Sequence, residues 1–381
     1  MKKKSLTGLG MILIAGLLMT GCGDSKEENT ESSITSETET ETVESQVSET
    51  EMASHESTEV VDDHEGMAKS LLTGEWISED LAGKRPVAIM TENTKVTLPQ
   101  YGISNADIIY ECPVEGGITR LLACFQDYSN MDKIGNVRSS RNCYITLAKE
   151  LNAIYVHAGG STYAYELLDA GVIDHIDGIT GKGGQSFYRD SSRKAPHNLY
   201  TTSDKLASGI ASAGFSTELD AAYANGHFKF AEDNAPITLT NGTDAAVVSL
   251  YYQNPKPWFE YNSNDGLYYR YEFGSAQVDG LNNNQVAVKN IIIQYHSISK
   301  YNSSAGYLNI DLVGSGSGKY ITNGKVIDIT WKKDSENGIT RYYEQDGKEI
   351  TLNQGKTWIA VCDKSSAKKN VIYSTKEEFN N

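Results

Sequence analysis

After residue 70, apolar and polar positions fall into short runs that alternate between strand and helix patterns. Helical spacing over Cys143–Leu151 predicts one helix, and Ser161-Thr162 caps a second that runs through Leu168. Ser203–Ala213 predicts a third, with Ser203 as its N-cap and Gly214 as its stop. Four β-rich runs bounded by turn residues are predicted strands: Pro86–Thr91, Asp107–Cys112, Ile118–Phe125 and Ala153–His157. This alternation predicts an α/β domain with a mixed or parallel sheet.

From about residue 221 onward the pattern changes to short, tyrosine-rich β runs. The predicted strands are Val247–Tyr252, Leu267–Phe273, Val286–Tyr295, Gly306–Val313, Lys325–Trp331, Gly338–Tyr343 and Thr357–Val361. Asx-Gly pairs punctuate them at positions 241, 265, 279, 323, 337 and 346, and such pairs are a strong hairpin signal. The pattern predicts a mostly antiparallel β domain, either a sandwich or a partly open barrel. The Gly/Ser run Gly314–Gly318 is predicted to be a flexible hairpin.

The first 22 residues combine three lysines, a short apolar run over Met11–Met19 and small residues before Cys22. This is the pattern of a secretory signal peptide, and the apolar run is too short to span a bilayer as a helix. With a cysteine at the cleavage point, the segment resembles a bacterial lipobox. The resemblance implies that Cys22 becomes the mature N-terminus and carries diacylglycerol. An ordinary signal peptide with an incidental cysteine is the alternative.

Residues 24–66 are mostly Glu, Ser and Thr, and they contain fifteen acidic residues and one lysine. Such a segment buries too little apolar surface to fold, so it predicts an extended tether. The tether accounts for most of the net charge of −16, which leaves the rest of the chain only mildly acidic. Nucleic-acid binding is therefore not indicated. The predicted divisions are a signal peptide over 1–21, the tether over 22–70, an α/β domain over 71–220 and a β-rich domain over 221–381.

Four cysteines follow the tether: Cys112, Cys124, Cys143 and Cys362. Their spacing contains no CxxC pair, so no metal site is predicted. An exported chain could pair two of them, but the sequence does not choose a pair. No nucleotide, metalloprotease or hydrolase motif appears, and no cofactor is predicted.

Polar candidates for chemistry concentrate at strand ends and turns of the first domain. Ligands of open α/β sheets sit outside the carboxyl ends of the strands. Arg138 and Arg141 could together bind a phosphate or carboxylate. Arginines in turns can instead pair with a nearby carboxylate, and Glu115 with Arg120 could be such an ion pair. Arg120 is also a candidate ligand-binding residue, and the remaining ones are Glu111, Arg189 and Asn198.

Two histidines are candidates for proton transfer. His157 closes an apolar strand before Gly159-Gly160, and His197 follows the polar run 189–194. Either histidine could instead be a structural residue that fixes a loop. The candidate catalytic set is Glu115, His157 and His197.

Several separate motifs occur in an order that resembles the YerB-like lipoprotein family. They are RPVAIM from Arg85, ADIIYE from Ala106, VEGGITR from Val114, IGNVRSSR from Ile134, VHAGGS from Val156, PHNLY from Pro196 and GKTWI from Gly355. The resemblance implies a Gram-positive exported lipoprotein with an N-terminal and a smaller C-terminal domain. It supplies no reaction, because the molecular function of that family is not established.

Three functions remain open at this stage. The first is a lipid-anchored protein on the extracytoplasmic face of the membrane that binds an anionic envelope polymer through an Arg/His cluster. The second is a hydrolase or transferase that acts on envelope glycan or phosphate, with arginines stabilising developing charge. The third is a structural or interaction lipoprotein in which the charged residues form an internal ion-pair network.

Overall fold

Runs of residues that are buried on both faces build the long central sheet. The computed structural model describes residues 64–381. Up to residue 220, the strands are β1 (Met67–Lys69), β2 (Trp76–Ser78), β3 (Val87–Asn93), β4 (Ile108–Pro113), β5 (Thr119–Phe125), β6 (Ile134–Gly135), β7 (Ile154–His157), β8 (His175–Asp177), β9 (Tyr188–Arg189) and β10 (Leu199–Thr201). The α-helices of this part are α1 (Glu79–Ala82), α2 (Asn142–Glu150), α3 (Thr162–Asp169) and α4 (Ser203–Ala213).

Beyond residue 220 the secondary structure is almost entirely strand. The strands are β11 (Thr243–Asp244), β12 (Val247–Ser249), β13 (Trp258–Asn262), β14 (Leu267–Glu272), β15 (Ser275–Ala276), β16 (Ala287–Val288), β17 (Asn290–His296), β18 (Ile298–Lys300), β19 (Leu308–Ile310), β20 (Gly314–Thr322), β21 (Lys325–Lys333), β22 (Arg341–Tyr343), β23 (Thr357–Asp363) and β24 (Val371–Tyr373). One short helix, α5 (Lys376–Asn380), follows them.

The predicted fold class is confirmed. The N-terminal part contributes a mixed sheet with helices, in which β3 pairs with β5 antiparallel and with β7 parallel. The C-terminal part consists mainly of antiparallel pairs such as β17 with β20 and β20 with β21. The Asx-Gly turns at Asp265 and Asn323 join β13 to β14 and β20 to β21, as their sequence predicts.

A single sheet joins the two parts. Its strands run in the order β11, β21, β20, β17, β23, β4, β5, β3, β7, β8, and β22 pairs with β21 at the C-terminal end. Strand β23 lies between the two parts, because it pairs in parallel with β17 on one side and β4 on the other. The described residues belong to one compact unit. The division at residue 220 stays a prediction.

Alternate residues of each central strand enter different cores, as the two-residue period of a strand requires. Val87 and Ile89 of β3 face a core shared with the second sheet, β15-β14-β13-β12-β24. Ala88 and Met90 face the opposite core, which includes Tyr144 of α2. Burial on both faces explains why these strands read as continuous apolar runs.

Two local predictions are wrong. Gly314–Gly318 is the first half of strand β20, because its glycines allow close packing: a Cβ on Gly316 would lie 2.6 Å from the Trp331 Nε1, and one on Gly318 would lie 2.5 Å from the Ile293 carbonyl oxygen. The N-cap of α4 is Thr202, whose side chain accepts from the Lys205 amide, so Ser203 is the first helical residue. The predicted cap of α3 is confirmed, since Ser161 accepts from the Ala164 amide.

The signal peptide, Cys22 and the tether up to residue 63 lie outside the described residues. Within residues 64–381, no helix is long and apolar enough to cross a membrane. Cys112, Cys124, Cys143 and Cys362 are all buried free thiols in this part of the chain.

Candidate functional site

Charged side chains gather where β3 ends and β5 begins. Register places Glu92 of β3 directly opposite Arg120 of β5. The backbone after β6 runs beside β3, where the Arg138 amide donates to the Met90 carbonyl over 2.9 Å. Arg141 is the residue that precedes helix α2. We call Glu92, Glu115, Arg120, Arg138, Arg141 and His197 the strand-end cluster.

The buried Glu92 carboxylate organises one half of this cluster. Its side chain is 3% exposed, and the Arg138 Nε lies 3.1 Å from one of its oxygens. The His197 Nδ1 lies 2.9 Å and 3.0 Å from the two carboxylate oxygens. The Thr94 hydroxyl donates to the same group over 3.3 Å. A buried carboxylate with these contacts fixes both neighbouring side chains in place.

Two polar atoms in this half of the cluster remain open. Within residues 64–381, neither the Arg138 Nη2 nor the His197 Nε2 has a protein hydrogen-bond partner; the Arg138 Nη1 donates to the Pro196 carbonyl over 3.2 Å. The Arg138 side chain is 19% exposed and that of His197 is 33% exposed. Both open atoms belong to partly exposed side chains held by one carboxylate, so each is available to solvent or to a ligand.

The other half of the cluster is a closed ion-pair group. The Arg141 Nε donates to the Glu115 Oε2 over 2.9 Å, and its Nη2 contacts the Glu115 Oε1. The Arg120 Nη2 lies 3.7 Å from the same carboxylate, and its Nη1 donates to the Ser139 carbonyl over 2.6 Å. Burial alone would raise the pKa of Glu115, but Arg141 and Arg120 together hold that pKa below its usual range. Glu115 is thus an ion-pair partner here, and its catalytic role stays a prediction.

Arg120 and its neighbours form a positive group beneath the surface. Burial, together with nearby Arg141, lowers the pKa of the Arg120 guanidinium to about 10, so it stays protonated at neutral pH. Three guanidiniums face two carboxylates in the cluster, and the balance is positive before His197 is counted. This excess of positive charge favours an anion beside the open Arg138 and His197 nitrogens, a region that we call the open edge.

His157 lies in the interior and not at the open edge. Its Nδ1 lies 2.8 Å from the Gly159 carbonyl oxygen and its Nε2 lies 3.0 Å from the His175 Nδ1. The ring is fully buried, and the Asp177 carboxylate lies 3.8 Å from the Nδ1. Both ring nitrogens are engaged within the protein, so these contacts favour a structural role over proton transfer.

Glu111 also lies in the interior, within an ion cluster that links the two parts of the chain. Its carboxylate accepts from the Thr119 hydroxyl over 2.8 Å and from the Arg270 Nη2 over 3.0 Å. The Arg270 Nη1 lies 2.8 Å from Glu272. Burial raises the pKa of Glu111, and Arg270 opposes the shift. This position does not bring Glu111 to the open edge.

Arg189 ends strand β9, and Asn198 lies in the loop that carries His197. The exposed Arg189 donates through its Nη1 to the Asn198 Oδ1 over 2.8 Å. The Asn198 amide donates back to the carbonyls of Asp190 and Arg193, each over 3.2 Å. Asn198 therefore shapes the loop, and its Oδ1 holds the exposed Arg189 guanidinium.

Sequence reasoning missed two residues of this region. In the sequence, Glu92 is only the polar residue that follows the predicted strand Pro86–Thr91. In the structure, it is the carboxylate that holds Arg138 and His197. Arg193 anchors the His197 loop by donating to the carbonyls of Thr97 over 2.6 Å and Pro99 over 2.9 Å. The strand-end position of Glu92 is the signal that could have identified it.

No metal centre emerges from these contacts. Within the described range 64–381, no group of three or more His, Cys, Asp or Glu side chains could hold a metal ion.

Comparisons with known proteins agree with the order of the motifs. Residues 72–216 match the family described as "Protein of unknown function (DUF3048) N-terminal domain", and residues 247–359 match its "C-terminal domain". The chain is 30% identical over 299 residues to the Bacillus subtilis protein named "Putative lipoprotein YerB", across 77% of this chain and 86% of that protein. This chain belongs to the YerB-like family.

A solved structure supports the family assignment and the fold. The crystal structure of the YerB protein from Bacillus subtilis aligns with a TM-score of 0.67 and 31% identity, over 78% of this chain and 98% of that chain. Every residue of the strand-end cluster lies within the N-terminal family match, and Arg270 lies within the C-terminal match. The family descriptions state no reaction, so the argument for function depends on the site itself.

Folding should depend on pH through His157. Burial lowers the pKa of its imidazole to about 4, and Asp177 only partly opposes this shift. An unfolded histidine titrates near pH 6.5, so between about pH 6.5 and 4 the unfolded state binds a proton that the folded state excludes. The free energy of unfolding therefore falls as pH falls. From pH 7 to 4, we predict that wild type loses about 3 kcal/mol more than His157→Gln.

Urea denaturation of both proteins at pH 7 and pH 4 measures this difference. Titrating groups that do not contact His157 contribute equally in the two proteins, and among the histidines and carboxylates of residues 64–381 only His175 and Asp177 contact its ring. Equal losses of stability would show that the folded protein accommodates a charged His157.

Proposed function

We propose that this protein is an extracytoplasmic lipoprotein that binds an anionic envelope ligand through Arg138 and His197. Two lines of reasoning support the anchored location. The N-terminal segment resembles a lipobox with Cys22 at the cleavage point. The relative YerB carries "lipoprotein" in its name. Lipid on Cys22 would hold the folded part at the membrane surface through the acidic tether.

The observation that supports the binding proposal is the pair of nitrogen atoms without a protein partner on Arg138 and His197, the two side chains that contact Glu92. Arg138 presents Nη2 and His197 presents Nε2, and both side chains are fixed by the same buried carboxylate. Because their positions are set before a ligand arrives, little side-chain entropy is lost on binding. A guanidinium beside an imidazole offers directed donors to a phosphate or carboxylate oxygen.

The surrounding charge favours the same kind of ligand. The single negative charge of Glu92 can balance only one neighbouring positive charge. Arg138 contacts Glu92, and Arg120 lies opposite Glu92 in the register of β3 with β5. Arg189 at the end of β9 and Lys194 on the following loop, which carries His197, are both exposed. An incoming anion would compensate this excess, whereas a cation would be repelled. A phosphate-bearing or carboxylate-bearing glycan of the cell envelope has the required charge.

One observation favours catalysis as a second candidate. Glu92 contacts the Nδ1 of His197 and leaves its Nε2 open, which is the arrangement that orients an imidazole for proton transfer. A hydrolase or transferase that acts on envelope glycan or phosphate would use His197 as acid or base and Arg138 to stabilise developing charge. Glu92 would then be a positioning residue.

The anchoring part of the proposal predicts acylation at one residue. Wild-type protein should incorporate labelled palmitate in the native host and fractionate with membranes, whereas Cys22→Ser should incorporate none. Ser25→Ala leaves the acceptor thiol intact and serves as the matched control, which should label as wild type does. Incorporation of palmitate by Cys22→Ser, or no label in wild type, would contradict anchoring at this cysteine.

The binding part predicts a specific loss of affinity for a polyanion. Full-length protein titrated with a synthetic poly(glycerol phosphate) oligomer should give heat by calorimetry. Arg138→Ala should bind at least tenfold more weakly, a loss of about 1.4 kcal/mol, because the Nη2 donor is gone. Arg138→Lys should also be weaker, since an ammonium cannot reproduce the planar fork.

Lys364→Ala is the control for simple loss of one surface charge, because Lys364 is exposed and makes no ion pair with any residue between 64 and 381. It should bind as tightly as wild type. An equal loss in Lys364→Ala and Arg138→Ala would reduce the effect to non-specific attraction. Release of shortened oligomer during the titration would move the assignment to the enzymatic candidate.

A further inference from the structure

A concave surface lies outside the strand-end cluster. It is a cleft of about 630 Å³ between the β14–β16 face and two loops, one at residues 104–105 and the other at 354–356. This volume is within the range of small-molecule sites, roughly 300–1,000 Å³. None of the residues proposed above for anion binding lines it.

The floor of the cleft is one face of a strand pair. Side chains of β14 alternate, so Tyr268 and Arg270 are buried on the core side whereas Leu267 and Tyr269 are half-buried on the cleft side. Tyr269 lies opposite Ala287 of β16, a small residue that leaves the tyrosine ring accessible. The Tyr269 hydroxyl donates to the Asp265 carboxylate over 2.7 Å, and this contact restrains the ring.

One wall of the cleft is held by hydrogen bonds before any ligand arrives. The buried Asp279 carboxylate accepts from the Gly102 amide over 2.9 Å and from the Ser104 amide over 2.7 Å. The Asn282 amide donates to the Asn105 Oδ1 over 3.1 Å. Lys356 contacts the Ser104 carbonyl and ties this wall to the opposite loop. These bonds make the cleft a preformed site.

The charges around the cleft balance. Two lysines, Lys289 and Lys356, face two carboxylates, Glu75 and Asp265. Burial lowers the pKa of both lysines. The Lys289 ammonium already donates to the Asn323 Oδ1 over 2.7 Å. The two signs are equal in number, so the lining carries no net charge and favours a ligand without net charge.

Neutral amide groups supply the remaining polar surface. Asn284 has no side-chain hydrogen bond within residues 64–381, and Gln285 uses only its Nε2, which donates to the Arg270 carbonyl over 2.9 Å. The Gln285 Oε1 therefore remains available as an acceptor. Amides that both donate and accept match the hydroxyl groups of a sugar, and the Tyr269 ring offers a face to its C–H groups.

We propose that this cleft binds a neutral glycan. The inference goes beyond the proposed function, since it concerns a different surface and a ligand without charge. The restrained aromatic floor, the preformed wall and the open amides each contribute to recognition of a polyhydroxylated ring. A neutral peptide could also bind amides, but it would not require an accessible aromatic face beside them.

Saturation-transfer NMR of full-length protein with a pool of neutral trisaccharides, including maltotriose and triacetylchitotriose, tests this proposal. Wild type should transfer saturation to at least one trisaccharide. Tyr269→Ala should reduce the signal at least fivefold, and Asn284→Ala should weaken it with the ring still present. Tyr251→Ala removes an exposed tyrosine outside this cleft and should leave the signal unchanged.

The outcomes separate cleanly. No transfer from wild type, or full transfer in Tyr269→Ala, would overturn the glycan site. Transfer to a neutral tripeptide without transfer to any sugar would also overturn it. A melting curve for each variant shows whether the protein is folded, and Asn284→Ala decides the case if Tyr269→Ala fails to fold. Binding of poly(glycerol phosphate) at Arg138 is an independent measurement.

Discussion

The position of strand β23 is the constraint on which the rest of the structure depends. This strand comes from the end of the chain, yet it pairs in parallel with β17 and with β4 at the centre of the long sheet. Its Trp358 is fully buried, and the Arg270 guanidinium packs 4.2 Å from the Trp358 ring centroid while it binds Glu111 of β4. The hydrogen-bond ladder and the buried ion cluster therefore join the two parts of the chain at the same place.

Strand pairing in this sheet sets the positions of the residues in the strand-end cluster. Glu92 and Arg120 face each other because β3 and β5 pair in register, and β5 is in turn held by β4 beside β23. A buried carboxylate such as Glu92 is costly unless charged partners surround it, and Arg138 and His197 supply those partners. The same contacts that stabilise Glu92 leave one guanidinium nitrogen and one imidazole nitrogen facing outward.

Local sequence signals predicted much of the fold, and non-local contacts account for what they missed. Apolar runs identified β3, β4, β5 and β7, and Asx-Gly pairs located the hairpins at Asp265 and Asn323, because both signals act within a few residues. Gly314–Gly318 was mistaken for a loop because the reason for its glycines, close packing on Trp331 and Ile293, lies on other strands. The union of both parts in one sheet depends on pairings more than two hundred residues apart in sequence.

The candidate site shows the same division. Turn and loop positions in the sequence identified Arg138 and His197, but Glu92, which holds both, was recognised only in the fold. Glu115 and His157 looked equivalent to them in the sequence, and only burial and pairing distinguish these residues from the open ones.

Native-state hydrogen exchange of the full-length protein tests the shared sheet most directly. If β23 makes the two parts one cooperative unit, peptides covering β3 and β17 should exchange with the same opening free energy and the same dependence on urea. Independent opening of one part, with β3 exchanging at much lower free energy than β17 or the reverse, would contradict this account.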